Sequence, residues 1–320
     1  IHLSNMMRIG LDAMGGDYAP KAVVEGAILA QKELSENDKI VLFGRCADIL
    51  QILADNGVDS SLFEIVDADE VIDMHDKPAK AFAKKPNSSM AVGFRYLKEG
   101  KIDSFASAGN TGAMLVGTMY SVGVINGIMR PCLAALVPKV DGGVTLLTDV
   151  GVNPDAKPEM LVQFAILGSV YAKTALGMQN PKVGLANIGE EEEKGNAQTQ
   201  AAHALMKENK SFEFFGNAEP VEIFKNNVDV VVCDGFVGNM LMKHTEALAR
   251  VFAKRGLVDE YVARFNYEIY GGLPLLGANS IVLIGHGISN AKAIKSMIFQ
   301  SKNIYETNLI GQLKETLSVN

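Results

Sequence analysis

Short apolar runs and segments with helical spacing alternate along the chain. The runs are rich in β-branched residues and predict buried strands at residues 8–11, 39–43, 63–66, 104–106, 133–137, 144–148, 182–186, 212–215, 229–233 and 281–284. Between many of them, apolar positions recur at helical spacing and predict helices at residues 21–34, 47–56, 88–99, 111–122, 159–176 and 197–208. This order predicts a mostly parallel sheet with crossover helices, and therefore a doubly wound, three-layer α/β/α fold.

The pattern also bears on domain organisation. The chain has no repeat of fixed period and no long linker that would separate domains. We therefore expect one catalytic domain over residues 7–315, with two lobes around a cleft as a variant of it. Residues 240–270 carry apolar positions at helical spacing on both sides of Gly256, which predicts an amphipathic helical hairpin. Residues 1–6 resemble a cloning remnant and are left out of the fold prediction.

Composition excludes several classes of function. The 320 residues carry 30 Lys and Arg against 37 Asp and Glu, and no dense basic run favours nucleic acid. No apolar window reaches the roughly 18 residues that a membrane span needs. The widely separated Cys46, Cys132 and Cys233 fit neither a disulfide framework nor a zinc site, so we expect free thiols in a reducing cytoplasm. The histidines lack metal-ligand spacing, and no metal is expected.

Polar, glycine-rich corners follow seven of the apolar runs. They lie at residues 12–17, 107–112, 149–153, 187–192, 216–217, 234–239 and 285–287. In open parallel sheets the carboxyl ends of the strands line the ligand crevice, and glycine lets backbone N–H groups approach an anion. The corners therefore predict a crevice for an anionic ligand, although each corner alone is also typical of a simple chain turn.

The common nucleotide and hydrolase signatures are absent from the sequence. The first strand is followed by Gly15-Gly16-Asp17 rather than G-x-G-x-x-G, and no P-loop occurs. The nearest approach to a G-x-S-x-G elbow, at Ser289, lacks the final glycine. A dehydrogenase, a nucleotide triphosphatase and a serine hydrolase are all disfavoured.

The corner motifs resemble, in order, those of the bacterial phosphate acyltransferase family PlsX. They are LDAMGGD at 11–17, SAGNTGA at 107–113, Arg-Pro at 130–131, DVGVN at 149–153, NIGEEEEKG at 187–195, CDGFVGN at 233–239 and His-Gly at 286–287, within a resemblance from residue 7 to about 310. The resemblance implies a cytoplasmic enzyme of phospholipid biosynthesis that forms acyl phosphate from fatty acyl-[acyl carrier protein] and inorganic phosphate, without a cofactor. It also implies a fold similar to phosphotransacetylase and isopropylmalate dehydrogenase.

The hairpin of that family contributes to a homodimer and touches the membrane surface. Here the corresponding segment is shorter and less continuously apolar, so at most a weak peripheral membrane contact is expected. Arg250, Lys254 and Arg255, with Arg264, form a basic rim that suits an acidic carrier protein or anionic lipid, and a solvated helix face is the alternative. Two functions stay open as alternatives: transfer from a short acyl-CoA, and a non-catalytic regulator that binds acyl carrier protein or phosphate.

The reaction that the family performs needs positioning and electrostatics more than a strong base. Phosphate is largely dianionic near neutral pH, and a thiol leaves readily as thiolate, so direct attack without an acyl-enzyme on Cys233 or Ser289 is expected. For phosphate and substrate binding we expect Asp12, Gly15, Gly16, Asp17, Asn110, Thr111, Gly112, Asn153, Asn187, Gly189, Glu190, Gly195, Gly235, Phe236 and Gly238. For catalysis we expect Lys194, His286, Asp234 and Asn239.

Several of these assignments have structural alternatives. Lys194 is the preferred cation, ahead of Arg130 and Lys139, provided that the acidic residues 190–193 occupy the first turn of a helix starting near residue 191. Asp234 is expected to orient a donor or a lysine before a helix that begins near Gly238. Caps, turns or a satisfied core histidine would explain the same residues structurally. The same choice applies to Met114 and Met119, which suit an acyl groove or core packing.

Overall fold

The computed structural model describes residues 6–319, so all but the last residue of the expected cloning remnant at 1–6 lies outside the described residues. The strands are β1 Arg8–Asp12, β2 Lys39–Gly44, β3 Glu64–Asp67, β4 Ser104–Ser107, β5 Cys132–Pro138, β6 Val144–Thr148, β7 Lys182–Ala186, β8 Glu213–Ala218, β9 Val230–Val232, β10 Gly272–Leu276 and β11 Ile281–Gly285. The helices are α1 Lys21–Gln31, α2 Cys46–Asp55, α3 Pro78–Lys84, α4 Ser89–Lys98, α5 Thr111–Ser121, α6 Pro158–Thr174, α7 Ala197–Glu208, α8 Gly235–Lys254, α9 Glu260–Ala263, α10 Tyr267–Tyr270, α11 Ala291–Glu306 and α12 Leu309–Val319.

The described residues form two compact units. The first comprises the chain up to Gly123, Tyr267–Pro274 and Ala278–Glu306, and the second comprises Val124–Asn266, Leu275–Gly277 and the chain from Thr307. The predicted single catalytic domain over residues 7–315 stays a prediction.

In the first unit, parallel strands run in the order β3-β2-β1-β4-β11, and the first half of β10 pairs antiparallel with β11. Leu11 on β1 pairs with Leu42 and Ala106, and all three are buried. Strands covered on both faces read as continuous apolar runs, which is why the sequence identifies them. Phe43 and Phe105 meet edge to face at 5.8 Å within this core.

In the second unit, the order is β5-β6-β9-β7-β8, with the last two residues of β10 pairing antiparallel with β5. The β5–β6 pair is antiparallel and the pairs from β6 to β8 are parallel. The α/β fold with a mostly parallel sheet is therefore confirmed.

Two sheet features differ from the sequence prediction. Strand β10 was not predicted, because it contains Pro274, and proline normally marks a strand edge or break. The expected corner at Gly216-Asn217 lies inside β8 rather than after it. These residues still pair with Gly184 and Leu185, because the register shifts at Phe215 of β8, which has no partner in β7, and the strand continues past the glycine.

Residues 240–270, where a helical hairpin is predicted, contain most of α8 in the first arm and the one-turn helices α9 and α10 in the second. Helix α8 is a single helix that starts at Gly235, and Gly256, with φ of 70°, follows its end. The second arm is not a continuous helix, because side chains tie it to the β5–β6 turn. Arg264 donates to the carbonyls of Lys139 and Gly143, and the hydroxyl of Tyr261 donates to Pro138. Within residues 6–319, no helix has the length and apolar character to cross a membrane.

Candidate functional site

In the first unit, three glycine-rich corners meet at the carboxyl ends of β1, β4 and β11. The N–H of Asp17 donates to the carbonyl of Gly287 at 2.8 Å, which joins the first corner to the last. A Cβ on Gly16, whose φ is 113°, would lie 3.2 Å from the Cβ of Ala108. The parallel order of these strands therefore brings together residues that are far apart in the sequence, as expected for strand carboxyl ends.

Asp12 lies at the base of these corners and is buried. Its carboxylate accepts the hydroxyl of Ser107 at 2.7 Å and the N–H of Met14 at 3.1 Å. Burial raises the pKa of Asp12, while the hydrogen bonds from Ser89 and Ser107 oppose that rise. A Cβ on Gly15 would come within 2.5 Å of both the Asp12 carboxylate and the Ser107 hydroxyl. Asp12 and Gly15 therefore hold the corner together, and Ser107 is a member that the sequence assignments missed.

Helix α5 begins at one of these corners, and Asn110 is its N-cap. The side-chain oxygen of Asn110 accepts the N–H of Ala113 at 3.0 Å, and its amide donates to the carbonyls of Asp73, Met74 and Asp76. The side chain is thus fully engaged in capping and in holding a loop. The N–H groups of Thr111 and Gly112 belong to the first turn, where helices lack internal acceptors. Those backbone groups are the part of the motif suited to an anion.

His286 lies half-buried after β11, packed edge to face against Tyr267 with a centroid distance of 5.8 Å. Its carbonyl accepts both the N–H and the hydroxyl of Ser289, the latter at 2.6 Å. The Ser289 hydroxyl is therefore buried and occupied, which is unfavourable for a nucleophile.

In the second unit, the corner after β6 is built around Asp149. This carboxylate is fully buried and accepts the N–H groups of Leu133 at 2.9 Å, Asn153 at 2.7 Å and Val152 at 3.3 Å. Burial raises the pKa of Asp149, and the backbone hydrogen bonds counteract part of that rise. Asp149 was not among the predicted site residues. Its position at a strand end before Gly-Val-Asn is the signal that could have found it.

Asn153 connects Asp149 to an arginine. Its amide donates to the carbonyl of Pro131 at 2.8 Å and to Asp149 at 2.9 Å, and its oxygen accepts Nε of Arg130 at 3.3 Å. Arg130 is exposed, and within the described part of the chain its guanidinium makes no ion pair. The structure therefore places Arg130, rather than Lys194, at the corner of Asn153.

Helix α8 packs against the same corner at the carboxyl end of β9. It begins at Gly235, not near Gly238 as predicted, because Asp234 caps it by accepting the N–H of Val237 at 2.8 Å. A Cβ on Gly238 would lie 1.8 Å from the carbonyl oxygen of Asp149, so only glycine permits this approach.

The polar groups at the start of α8 are largely occupied by protein contacts. The N–H of Gly235 donates to Asn153 and that of Gly238 to Asp234. The amide of Asn239 donates to the carbonyl of Val150 at 3.2 Å, and Phe236 is exposed. These residues position α8, and none of the paired groups is open to a ligand.

The loop after β7 carries Asn187, Gly189, Glu190, Lys194 and Gly195. The expectation that residues 190–193 form the first turn of a helix is wrong, since α7 begins at Ala197 with Asn196 as its cap. Gly195, with φ of 92°, turns the chain before the helix, and Asn187 binds the carbonyl of Lys194 at 3.1 Å. The acidic residues therefore lie exposed in the loop and do not complement the helix dipole.

Lys194 is exposed on this loop, with its Cγ 2.9 Å from where a Cβ on Gly189 would lie. Among residues 6–319 its ammonium has no carboxylate partner. Lys139, in contrast, is buried in an ion pair with Asp229 at 2.8 Å. The second unit thus presents two cations without a carboxylate partner among the described residues: Lys194 in the loop after β7, and Arg130 before β5 and beside the corner that follows β6. Lys139 is not a third.

The other predicted residues divide into buried and exposed groups. Met114 is fully buried in the core. Cys233 is also buried, and burial raises the pKa of its thiol well above the usual range. Arg250, Lys254 and Arg255 are exposed at the end of α8, as the basic-rim prediction requires. In the stretch that the structure describes, no cluster of His, Cys, Asp or Glu side chains could hold a metal ion.

Comparisons with known proteins agree with this architecture. A family model described as fatty acid synthesis protein matches residues 7–256. Phosphate acyltransferase from Caldicellulosiruptor bescii is 43% identical over 331 residues, covering 98% of this chain and 98% of that protein.

Two solved structures resemble the whole chain. A phosphotransacetylase from Streptococcus pyogenes has a TM-score of 0.65 at 17% identity, covering 95% of each chain. EutD phosphotransacetylase from Staphylococcus aureus has a TM-score of 0.64 at 15% identity, covering 93% of this chain and 94% of that one. At these identities the likeness concerns the fold, and it confirms the expected similarity to phosphotransacetylase.

Proposed function

We infer the activity of this chain from the fact that it belongs to the fatty acid synthesis protein family, the PlsX family, whose curated relatives are named phosphate acyltransferase. We propose that it transfers a fatty acyl group from the thioester of acyl carrier protein to inorganic phosphate. A phosphate oxygen attacks the thioester carbonyl, a carbon–oxygen bond forms, the carbon–sulfur bond breaks, and the thiolate leaves. The products are acyl phosphate and free carrier protein. The acyl phosphate supplies phospholipid biosynthesis.

The observation that carries this proposal is the pair of exposed cations at strand ends of the second unit. Lys194 and Arg130 lack carboxylate partners within the described residues, and glycine-rich corners surround both. A cation beside flexible backbone N–H groups suits a phosphate dianion and the oxyanion of a tetrahedral intermediate. In the first unit, the first-turn N–H groups of Thr111 and Gly112 offer a further anion-binding helix start.

Direct transfer without an acyl-enzyme is supported by the state of the candidate nucleophiles. The Cys233 thiol is buried with a raised pKa, and its sulfur lies 3.6 Å from the carbonyl oxygen of Asp149. The Ser289 hydroxyl donates to a backbone carbonyl. A buried thiol with a raised pKa and a hydroxyl already bonded to a carbonyl are both unfavourable nucleophiles, whereas phosphate is itself a competent nucleophile near neutral pH.

The test is acyl phosphate formation from palmitoyl carrier protein and phosphate, trapped with hydroxylamine. We expect Lys194→Ala to lower the rate on the order of a hundredfold, as removal of a transition-state donor does. Lys173→Ala, which removes an exposed lysine from α6, is the matched control and should leave the rate unchanged. A wild-type protein that makes acyl phosphate from acetyl-CoA but not from the carrier protein would replace this function with short-chain phosphotransacetylation.

The assembly and surroundings of the enzyme are part of the proposal. We propose a cytoplasmic homodimer that docks acidic acyl carrier protein on Arg250, Lys254 and Arg255, with at most weak peripheral membrane contact through α8. The exposure of these basic side chains beside the exposed apolar Val251 and Phe252 supports such a surface. Sedimentation of the protein, alone and with anionic vesicles, tests the dimer and the membrane contact separately.

A further inference from the structure

The second unit contains an apolar cavity of about 450 Å³ beside the loop that carries Lys194. It lies among the ends of β7 and β8, the 3-10 turn Pro220–Phe224 and the first turns of α8. Its inner wall is formed by the buried side chains of Ala218, Ile223 and Val231, together with the half-buried Ala186. The volume falls in the range of roughly 300–1,000 Å³ that is typical of small-molecule sites.

The open side of the cavity is the side of the candidate site. Val237 and Leu241, one helical turn apart, form one wall on the face of α8 that follows the Asp234 cap. Ile188, 80% exposed, stands at the rim on the loop after Asn187. The cavity therefore extends inward from the surface that lies between the Lys194 loop and the start of α8.

Most of the polar side-chain atoms around the cavity already form hydrogen bonds within the protein. The amide of Asn187 binds the carbonyl of Lys194 and the N–H of Ile188. The side chain of Asn196 caps α7, and the hydroxyl of Thr199 donates to the carbonyl of Asn196. A ligand with several amides or hydroxyls would be buried without partners here, which is costly, whereas an apolar chain needs none.

We infer that this cavity binds the fatty acyl chain of the substrate, with the chain end against Val231 and Ile223 and the thioester at the rim near Lys194. This inference rests on the proposed function, because it places the acyl group of that same reaction. The pantetheine arm, which carries amides, would find few free polar partners among the residues that line the cavity. Binding to an apolar cavity of this kind becomes more favourable with each methylene group that the ligand transfers from water into it.

The experiment compares hexanoyl and palmitoyl carrier protein as donors for Val237→Phe and Leu241→Phe. Both substitutions enlarge side chains on a helix wall that is only partly buried, so the fold should tolerate them. We expect the ratio of palmitoyl to hexanoyl kcat/KM to fall on the order of tenfold, which corresponds to about two excluded methylenes. Val221→Phe is the control, since Val221 is 47% exposed near the cavity but does not line it. Its ratio should equal that of wild type.

A second measurement separates this inference from the proposed function. Titration of each protein with dodecanoate measures binding of the acyl chain without any transfer reaction. We expect wild type and Val221→Phe to bind dodecanoate with equal affinity. Val237→Phe should bind it on the order of tenfold more weakly. If wild type makes acyl phosphate but both cavity variants keep the wild-type chain-length ratio and dodecanoate affinity, the cavity inference is overturned and the function stands. If dodecanoate binding depends on Val237 while no donor yields acyl phosphate, the cavity still binds chains and the transfer function fails.

Discussion

Asn153 is the residue on which the second-unit corner depends most. It is buried, and its amide joins Asp149, the carbonyl of Pro131 and Nε of Arg130. We expect Asn153→Ala to lower the free energy of unfolding by about 1–3 kcal/mol, because it leaves buried polar groups unpaired. Urea unfolding measures this, with the exposed Asn126→Ala as the control. Equal stability of the two variants would show that the network is not structurally required.

Cys233 lies in the most recognisable motif of the chain, yet it is expected to be dispensable. Burial and the nearby carboxylate of Asp149 raise the pKa of its thiol, so almost no thiolate forms near neutral pH. Cys233→Ala should therefore keep acyl phosphate formation within a fewfold of wild type, assayed by hydroxylamine trapping. A variant that folds normally but loses all transfer would favour an acyl-enzyme on this thiol and contradict direct attack.

Asp12 gives a pH dependence of stability whose sign follows from its raised pKa. The folded protein holds a proton on Asp12 more tightly than the unfolded chain, for which the reference pKa is 3.8. The contribution of this group to the free energy of unfolding is fully present below 3.8 and is lost as the pH rises through the folded pKa. We expect acidification to stabilise wild type relative to Asp12→Asn. Urea titrations of both proteins at neutral and acidic pH measure this. A difference that stays constant with pH would contradict a raised pKa.

At the scale of elements, the sequence predicts best where burial is complete and worst where single side chains decide a boundary. Strand β1 was identified from its apolar run, because both of its faces are covered. The start of α7 was misplaced by the acidic residues 190–193, which favour a first helical turn, whereas Gly195 and the Asn196 cap set the true start. The local pattern contains both signals, and the hydrogen bond from the Asn187 amide to the carbonyl of Lys194 within the same loop supports the non-helical conformation of residues 190–193.

The packing of α8 against the Asp149 corner makes Gly238 a sensitive position. Glycine in a helix interior usually costs about 0.5–1 kcal/mol relative to alanine, so Gly238→Ala would stabilise an unconstrained helix. Here the new Cβ would overlap the carbonyl oxygen of Asp149, and we expect destabilisation of about 1–3 kcal/mol together with slower transfer. Thermal and urea unfolding decide the sign. Gly256→Asn is a suitable control, because no atom lies within 4 Å of that position and asparagine tolerates its positive φ.

At the scale of the whole molecule, the sequence motifs identified the family but not the role of each of their residues. Asn110 and Asp234 were predicted to bind or orient ligands, and the structure shows their side chains capping helices. Asp149 was passed over, although it organises its corner. A motif shows which residues occur together, but it does not decide between a local cap, which Asn110 and Asp234 both make to the residue three positions on, and a ligand contact. Nor does it show long-range partners, such as the N–H of Leu133 that binds Asp149.

The net charge of the whole molecule affects how a carrier protein can approach it. The chain has a net charge of −7, so an acidic carrier protein, the donor that we propose, would be repelled overall and would need a locally basic surface to approach. The exposed Arg250, Lys254 and Arg255 provide one at the end of α8. We expect Arg250→Glu combined with Lys254→Glu to raise the KM for palmitoyl carrier protein about tenfold or more at low salt, with kcat nearly unchanged. The difference in KM between this variant and wild type should shrink as added salt screens the charges. Lys173→Glu combined with Lys210→Glu, at two exposed lysines outside α8, makes the same change in net charge and is the control. Equal KM values across these variants would move the docking surface away from α8.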